Sequence, residues 1–198
     1  MTGKIRVHID PKGYDEKPSG KEIGGIKSRL QKGTRPSLVT LEELVQKIRT
    51  GHSISPGIME GVSAKNWKEQ QLFMVDIDNE EDGPILCIKD ARAICRDNGL
   101  PLAFCYQTFS YTKEHPKFRL GFVMDKPITD ADMRKHIMET LVNSYDCPYH
   151  GRLKQSYVNC SDGYCTKDFL QFSLSATVGW IYNCYGIWIK PNNQSFGS

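Results

Sequence analysis

Charge is nearly missing from the end of this 198-residue chain. Residues 149–198 carry six formal charges (Arg152, Lys154, Asp162, Lys167, Asp168 and Lys190), and every other Lys, Arg, Asp and Glu precedes them. Overall, 25% of residues are charged and the net charge is +3, an excess too small to diagnose a nucleic-acid partner. The polar stretch 1–20 has no apolar h-region, so no secretory signal is visible and a cytoplasmic location is expected. The sequence has no internal repeat and no GxxxxGK[ST] phosphate loop, which rules out a P-loop ATPase or helicase within it. With 39% hydrophobic residues, it is neither a disordered nor a collagen-like chain. The length suits one domain with a small appendage.

The one long uncharged run, 169–189, has 21 residues, a length that would span a bilayer as a helix. It also contains Gln171, Ser173, Ser175, Thr177, Asn183 and two glycines. A buried strand pair is therefore expected, with no membrane partner. Seven cysteines (87, 95, 105, 147, 160, 165 and 184) make an odd count, which favours free thiols or a metal site over a disulfide framework. Cys147, His150, Cys160 and Cys165 are four residues of the types that bind zinc. Their spacing matches no standard signature, and scattered free cysteines are the alternative.

The apolar periodicity predicts strands over 5–9, 72–78, 103–109 and 118–124, and helices over 40–50, 88–98 and 130–145. Thr40 and Glu43 form a capping box, Leu41, Leu44, Val45 and Ile48 make one apolar stripe, and Gly51 stops that helix. Residues 11–32 read as a loop with a weak helix, and 53–68 as a loop. The order β-α-β-β-α after residue 71 is part of a split βαβ, ferredoxin-like layout.

The stretch Val75-Asp76-Ile77-Asp78-Asn79 is the most informative. On a strand, Asp76 and Asp78 point to one face, about 7 Å apart. Two such carboxylates repel unless a cation lies between them, and hard oxygen donors suit Mg²⁺ or Mn²⁺. Two metals held this way serve phosphoryl transfer. The plainer alternative is a strand running into the acidic turn 78–83. Downstream, Lys117 and Arg119 share another strand face, at a spacing that lets two cations meet a triphosphate. Thr108, Ser110 and Thr112 add hydroxyls nearby. Here the plainer alternative is a hairpin whose Lys and Arg solvate an outer face.

Between residues 55 and 146 the sequence resembles the archaeo-eukaryotic primase superfamily, specifically the primase-polymerase domains of phage and plasmid replication proteins from Gram-positive bacteria. The resemblance rests on Pro56, Gly61, Asn66-Trp67, Gln70-Gln71-Leu72-Phe73, Asp76-Ile77-Asp78-Asn79, Tyr106-Gln107-Thr108-Phe109-Ser110, Pro116-Lys117-Phe118-Arg119, Asp125-Lys126-Pro127-Ile128 and Asp146. It implies an α+β fold with an RRM-like catalytic core and an N-terminal α/β extension. It also implies template-directed synthesis from nucleoside triphosphates with two divalent ions, Mg²⁺ or Mn²⁺. By position, Asp76, Asp78 and Asp146 match the metal-binding acids. Lys117 and Arg119 fall where basic residues contact the triphosphate or template. The family usually carries a Ser-x-His motif after the acid pair; this chain reads Phe109-Ser110-Tyr111 there, and His115 would fall in the hairpin turn.

The expected division is an N-terminal extension over 1–52, a catalytic core over 53–148, and an atypical segment over 149–198 able to add strands to the core. The expected partners are single-stranded DNA template, nucleoside triphosphates and a replicative helicase. The alternative is a catalytically degenerate or truncated replication protein that binds single strands through Trp67, Phe109, Tyr111 and basic residues.

Overall fold

A computed structural model of the chain describes residues 3–30, 35–60, 66–79, 85–145, 181–183 and 188–189. It is a mixed α+β structure with two antiparallel sheets and, among the described residues, four helices. The first sheet is small. β1 (Ile5–Ile9) lies between β2 (Ser37–Val39) and β3 (Ile54–Ser55). Two helices accompany it. α1 (Gly20–Ser28) begins where the Glu22 carboxylate accepts from the backbone N–H and the hydroxyl of Ser19, at 2.9 and 3.0 Å. α2 (Leu41–Arg49) begins at Thr40, which accepts from the Glu43 N–H at 3.1 Å and donates its own N–H to the Glu43 carboxylate at 2.8 Å. Each capping box satisfies donors that a helix start leaves orphaned.

The second sheet has six strands in the order β4-β5-β7-β6-β8-β9. They are β4 (Gly57–Met59), β5 (Trp67–Asp78), β6 (Leu102–Gln107), β7 (Lys117–Ile128), β8 (Ile181–Asn183) and β9 (Trp188–Ile189). α3 (Ile88–Asp97) joins β5 to β6, and α4 (Ala131–Asn143) follows β7. β5 and β6 each pair antiparallel with β7, so they run parallel with β7 between them. This is a split βαβ unit.

Alternation along β5 divides its side chains between two cores. Phe73, Val75 and Ile77 pack with Ile88, Ala91 and Cys95 of α3 and Leu141 and Val142 of α4. Leu72 and Met74 point the other way, onto Ile5 and Val7 of β1 and Leu44, Val45 and Ile48 of α2. Burying each such side chain contributes about 1.5–3 kcal/mol. The sheet is thus covered by helices on one face and, over part of the other, by the N-terminal layer. A second anchor holds that layer together. Asp10 is fully buried and takes two hydrogen bonds from Arg29, at 2.7 and 2.8 Å, while Arg29 also reaches the Tyr14 hydroxyl at 3.0 Å. That buried carboxylate pushes the Arg29 guanidinium pKa further up.

The strand over 5–9 and the three expected helices occur as read, to within a residue or two at their ends. Two readings change. The 53–68 loop contains β3, β4 and the start of β5, because Ser53 and Ser55 are buried and Gly57–Met59 pairs with β5. β3 lies past residue 52 yet pairs with β1. The strand expected to reach Phe109 stops at Gln107, where the chain turns through Thr108–Tyr111 and the Tyr111 N–H donates to the Thr108 carbonyl at 3.0 Å. β2 and β4 escape notice because three residues are too few for a period. β8 and β9, both inside the uncharged run, pair antiparallel, and β8 also pairs with β6. Among the described residues no helix is long and apolar enough to cross a membrane.

Candidate functional site

The face shared by Leu72 and Met74 continues past the N-terminal layer to Asp76 and Asp78. Strand register lines up three rows across β6, β7 and β5. The first row is Phe104, Gly121 and Met74, and the second is Tyr106, Arg119 and Asp76. In the third, Lys117 stands opposite Asp78, and the Thr108 N–H donates to the Lys117 carbonyl at 2.9 Å. The rows grade from apolar to charged toward the strand end.

The two carboxylates therefore meet the two cations singled out on β7. Arg119 donates from Nε and Nη2 to the two Asp76 oxygens, at 2.9 and 3.2 Å. Lys117 Nζ lies 2.6 Å from Asp78 Oδ1. The first pair is sealed and the second is open. The Arg119 side chain is 2% exposed, against 34% for Lys117. Arg119 is thus no part of a solvated outer face, which corrects the plainer reading of the hairpin. A guanidinium survives burial here because a bidentate carboxylate neutralises it and fixes its plane.

Asn79, quoted in the acid-pair motif, has no role assigned from sequence. It is buried, donates to the carbonyls of Leu86 and Pro116 at 2.9 and 2.6 Å, and accepts from the Leu86 N–H at 2.8 Å. It staples the end of β5 to Pro116, next to Lys117, and so holds the open pair in register. Its place directly after Asp78 in that motif is the available signal. A second overlooked residue is Lys17, whose Nζ donates to Ser110 Oγ at 3.1 Å. The N-terminal layer thereby brings a third cation to the hairpin beside Lys117.

The other expected residues scatter. Thr108 and Ser110 sit in the hairpin turn, as does His115, whose N–H donates to Thr112 Oγ1 at 2.9 Å. Phe109 and Tyr111 are half-buried in the same turn. Trp67 begins β5, roughly 35 Å along the strand from Asp78 at about 3.3 Å per residue, and carries the Arg134 guanidinium over its ring at 5.3 Å. The three aromatics thus form no continuous stacking platform. Asp146, Cys147, His150, Cys160 and Cys165 lie outside the described residues.

Asp76 and Asp78 are hard oxygen donors on one face, which is the chemistry Mg²⁺ and Mn²⁺ take. Among the described residues no third His, Cys, Asp or Glu joins them in a cluster. Their charge is already balanced by Arg119 and Lys117. A divalent ion could use these two carboxylates only if an anion took over the two cations. A separate cavity of about 430 Å³ between α3 and β6 is lined by Lys89, Arg92 and Arg96 with no carboxylate, so it offers no such pair.

No protein-family model, curated protein or solved structure matches this chain.

Proposed function

We infer that this chain is the DNA primase-polymerase domain of a mobile-element replication protein, performing template-directed nucleotidyl transfer with two divalent metals. The observation that carries the reading is the row-by-row facing of carboxylates on β5 and cations on β7, on a single sheet face. Nucleotidyl transfer requires both charges within a few ångströms, one to hold metal and one to hold the triphosphate. The central order β5-β7-β6, with α3 and α4 on one face, agrees with an RRM-like core. The N-terminal layer would be its extension.

In this mechanism Asp76 and Asp78 hold the metals, with Asp146 as the third acid by family resemblance. Divalent ions held there would supply activation of the primer hydroxyl and charge neutralisation at the α-phosphate. Lys117 and Arg119 grip the triphosphate oxygens, Arg119 as a planar fork and Lys117 as a point charge. Thr108 and Ser110 add hydroxyl contacts from the turn. Arg119 has Tyr106 and Asp76 as its register neighbours on either side, so its turn toward a phosphate would require the Asp76 pair to part. Single-stranded DNA would lie along the open part of the face, with a replicative helicase as a partner in the cytoplasm.

A second reading is a replication protein that keeps the fold, binds single strands and catalyses nothing. The carboxylates' engagement with Arg119 and Lys117, and the lack of the family's motif histidine at Phe109-Ser110-Tyr111, favour it. Labelled-nucleotide incorporation on primed and unprimed single-stranded templates with Mg²⁺ or Mn²⁺ separates the two. The first reading predicts incorporation that Asp76→Ala abolishes. Binding of the template without incorporation under either metal supports the second.

A further inference from the structure

The ion pairs across β5 and β7 have a thermodynamic consequence. We propose that they form a charge-exchange latch, in which Asp76 and Asp78 turn to a divalent cation as Arg119 and Lys117 turn to a polyphosphate. The proposal rests on the nucleotide-site reading and adds how that site discriminates between its ligands.

Every contact in the latch is between a ligand-binding group and its opposite number. A divalent ion arriving alone must draw Asp78 from Lys117, at 2.6 Å, and Asp76 from the bidentate grip of Arg119. It leaves behind a guanidinium that is 2% exposed and short of the carboxylate that neutralises it. A polyphosphate arriving alone has the mirror difficulty, since it leaves two like charges on one strand face. Burial makes either half-step costly, because an uncompensated charge in a low-dielectric site is poorly solvated. When both ligands arrive, four charged groups exchange partners and none is stranded. The two ligands therefore favour each other's binding, and the coupling is reciprocal. Lone metal ions and lone phosphates, both abundant in cells, are held off by the same contacts that admit the complex.

The gradation of exposure gives the latch an order. Lys117 and Asp78, 34% and 24% exposed, lie at the open end; Arg119 and Asp76, 2% and 17% exposed, lie deeper. The outer pair opens first, and the inner pair follows once phosphate and metal have entered. Asn79 keeps the outer pair in register through Pro116, so exchange there needs side-chain movement alone.

The test uses the full chain, two single substitutions on opposite sides of the outer pair, and each ligand alone. Lys117→Met releases Asp78 from its partner. It should bind Mn²⁺ alone about three- to tenfold more tightly than the wild type, the range expected for a partly exposed pair. Asp78→Asn releases Lys117 and should bind inorganic tripolyphosphate alone more tightly by a similar factor. Mn²⁺ is read by electron paramagnetic resonance of the free ion, tripolyphosphate by calorimetry, and folding of both variants by circular dichroism. If wild type and variants bind each ligand equally well, the latch is wrong while the nucleotide site stands. If none of the three proteins binds either ligand, alone or together, both the latch and the nucleotide-site reading are overturned.

Discussion

Asp76 and Arg119 are register partners on β5 and β7, and their side chains meet through two hydrogen bonds of 2.9 and 3.2 Å. The pair lies at the boundary between the packed part of the sheet face and its open end. It therefore has two roles, one in stability and one in ligand binding, that mutation can separate.

Removing one member should cost more than removing both. Asp76→Ala leaves a buried guanidinium without its carboxylate and is expected to destabilise the fold by about 3 kcal/mol. Adding Arg119→Met to that variant should recover most of the loss, because an apolar chain of similar length fills the site without a charge to solvate. Urea denaturation of the four proteins of the cycle measures this. Additive losses would show that the pair is not energetically coupled.

Gly121 makes a packing prediction on the neighbouring row. A Cβ added there would run into the Phe104 ring, which lies across the glycine from β6. Gly121→Ala should therefore cost about 1–3 kcal/mol through overpacking. Phe104→Leu in the same chain should relieve part of that cost. Thermal denaturation of the single and double variants reads both effects, and a neutral Gly121→Ala would mean that the ring is free to move aside.

Alkaline pH should weaken the helical side of the sheet. Burial pushes the Cys105 thiol from its ordinary 9.0 up to about 12. The Cys95 thiol is also raised by burial, and the Tyr145 hydroxyl it meets is raised by burial and by that contact. Between pH 9.0 and about 12 the folded Cys105 keeps a proton that the unfolded chain has lost. Stability is therefore full below pH 9.0 and falls as pH rises through that window, by up to about 1.4 kcal/mol per unit for each such group. Denaturation midpoints across pH 7 to 11 should show the decline, and Cys105→Ala should make it shallower.

The sequence announces the parts of this fold that are long and periodic. β5 carries a continuous apolar run that ends in acids, β7 opens with an alternation of apolar and basic residues, and α2 has both a capping box and a stripe. Both signals are local, so they survive without tertiary knowledge. β2 is held by a partner some thirty residues away, and β4, though its partner β5 follows closely, is too short to show a period. The candidate site divides the same way. Asp76, Asp78, Lys117 and Arg119 are visible as same-face pairs on strands, but register alone decides that they face each other. Asn79 and Lys17 owe their places to loops, where turn-forming residues and exposed lysines look alike whatever they touch.

The central claim is that one face of this sheet holds metal on β5 and phosphate on β7. A crystal structure with Mn²⁺ and a non-hydrolysable nucleoside triphosphate tests it most directly. The account predicts anomalous density at the Asp76 and Asp78 carboxylates, phosphate oxygens against Lys117 and Arg119, and both ion pairs parted. Manganese and triphosphate bound elsewhere, with Asp76 still on Arg119 and Asp78 still on Lys117, would contradict it.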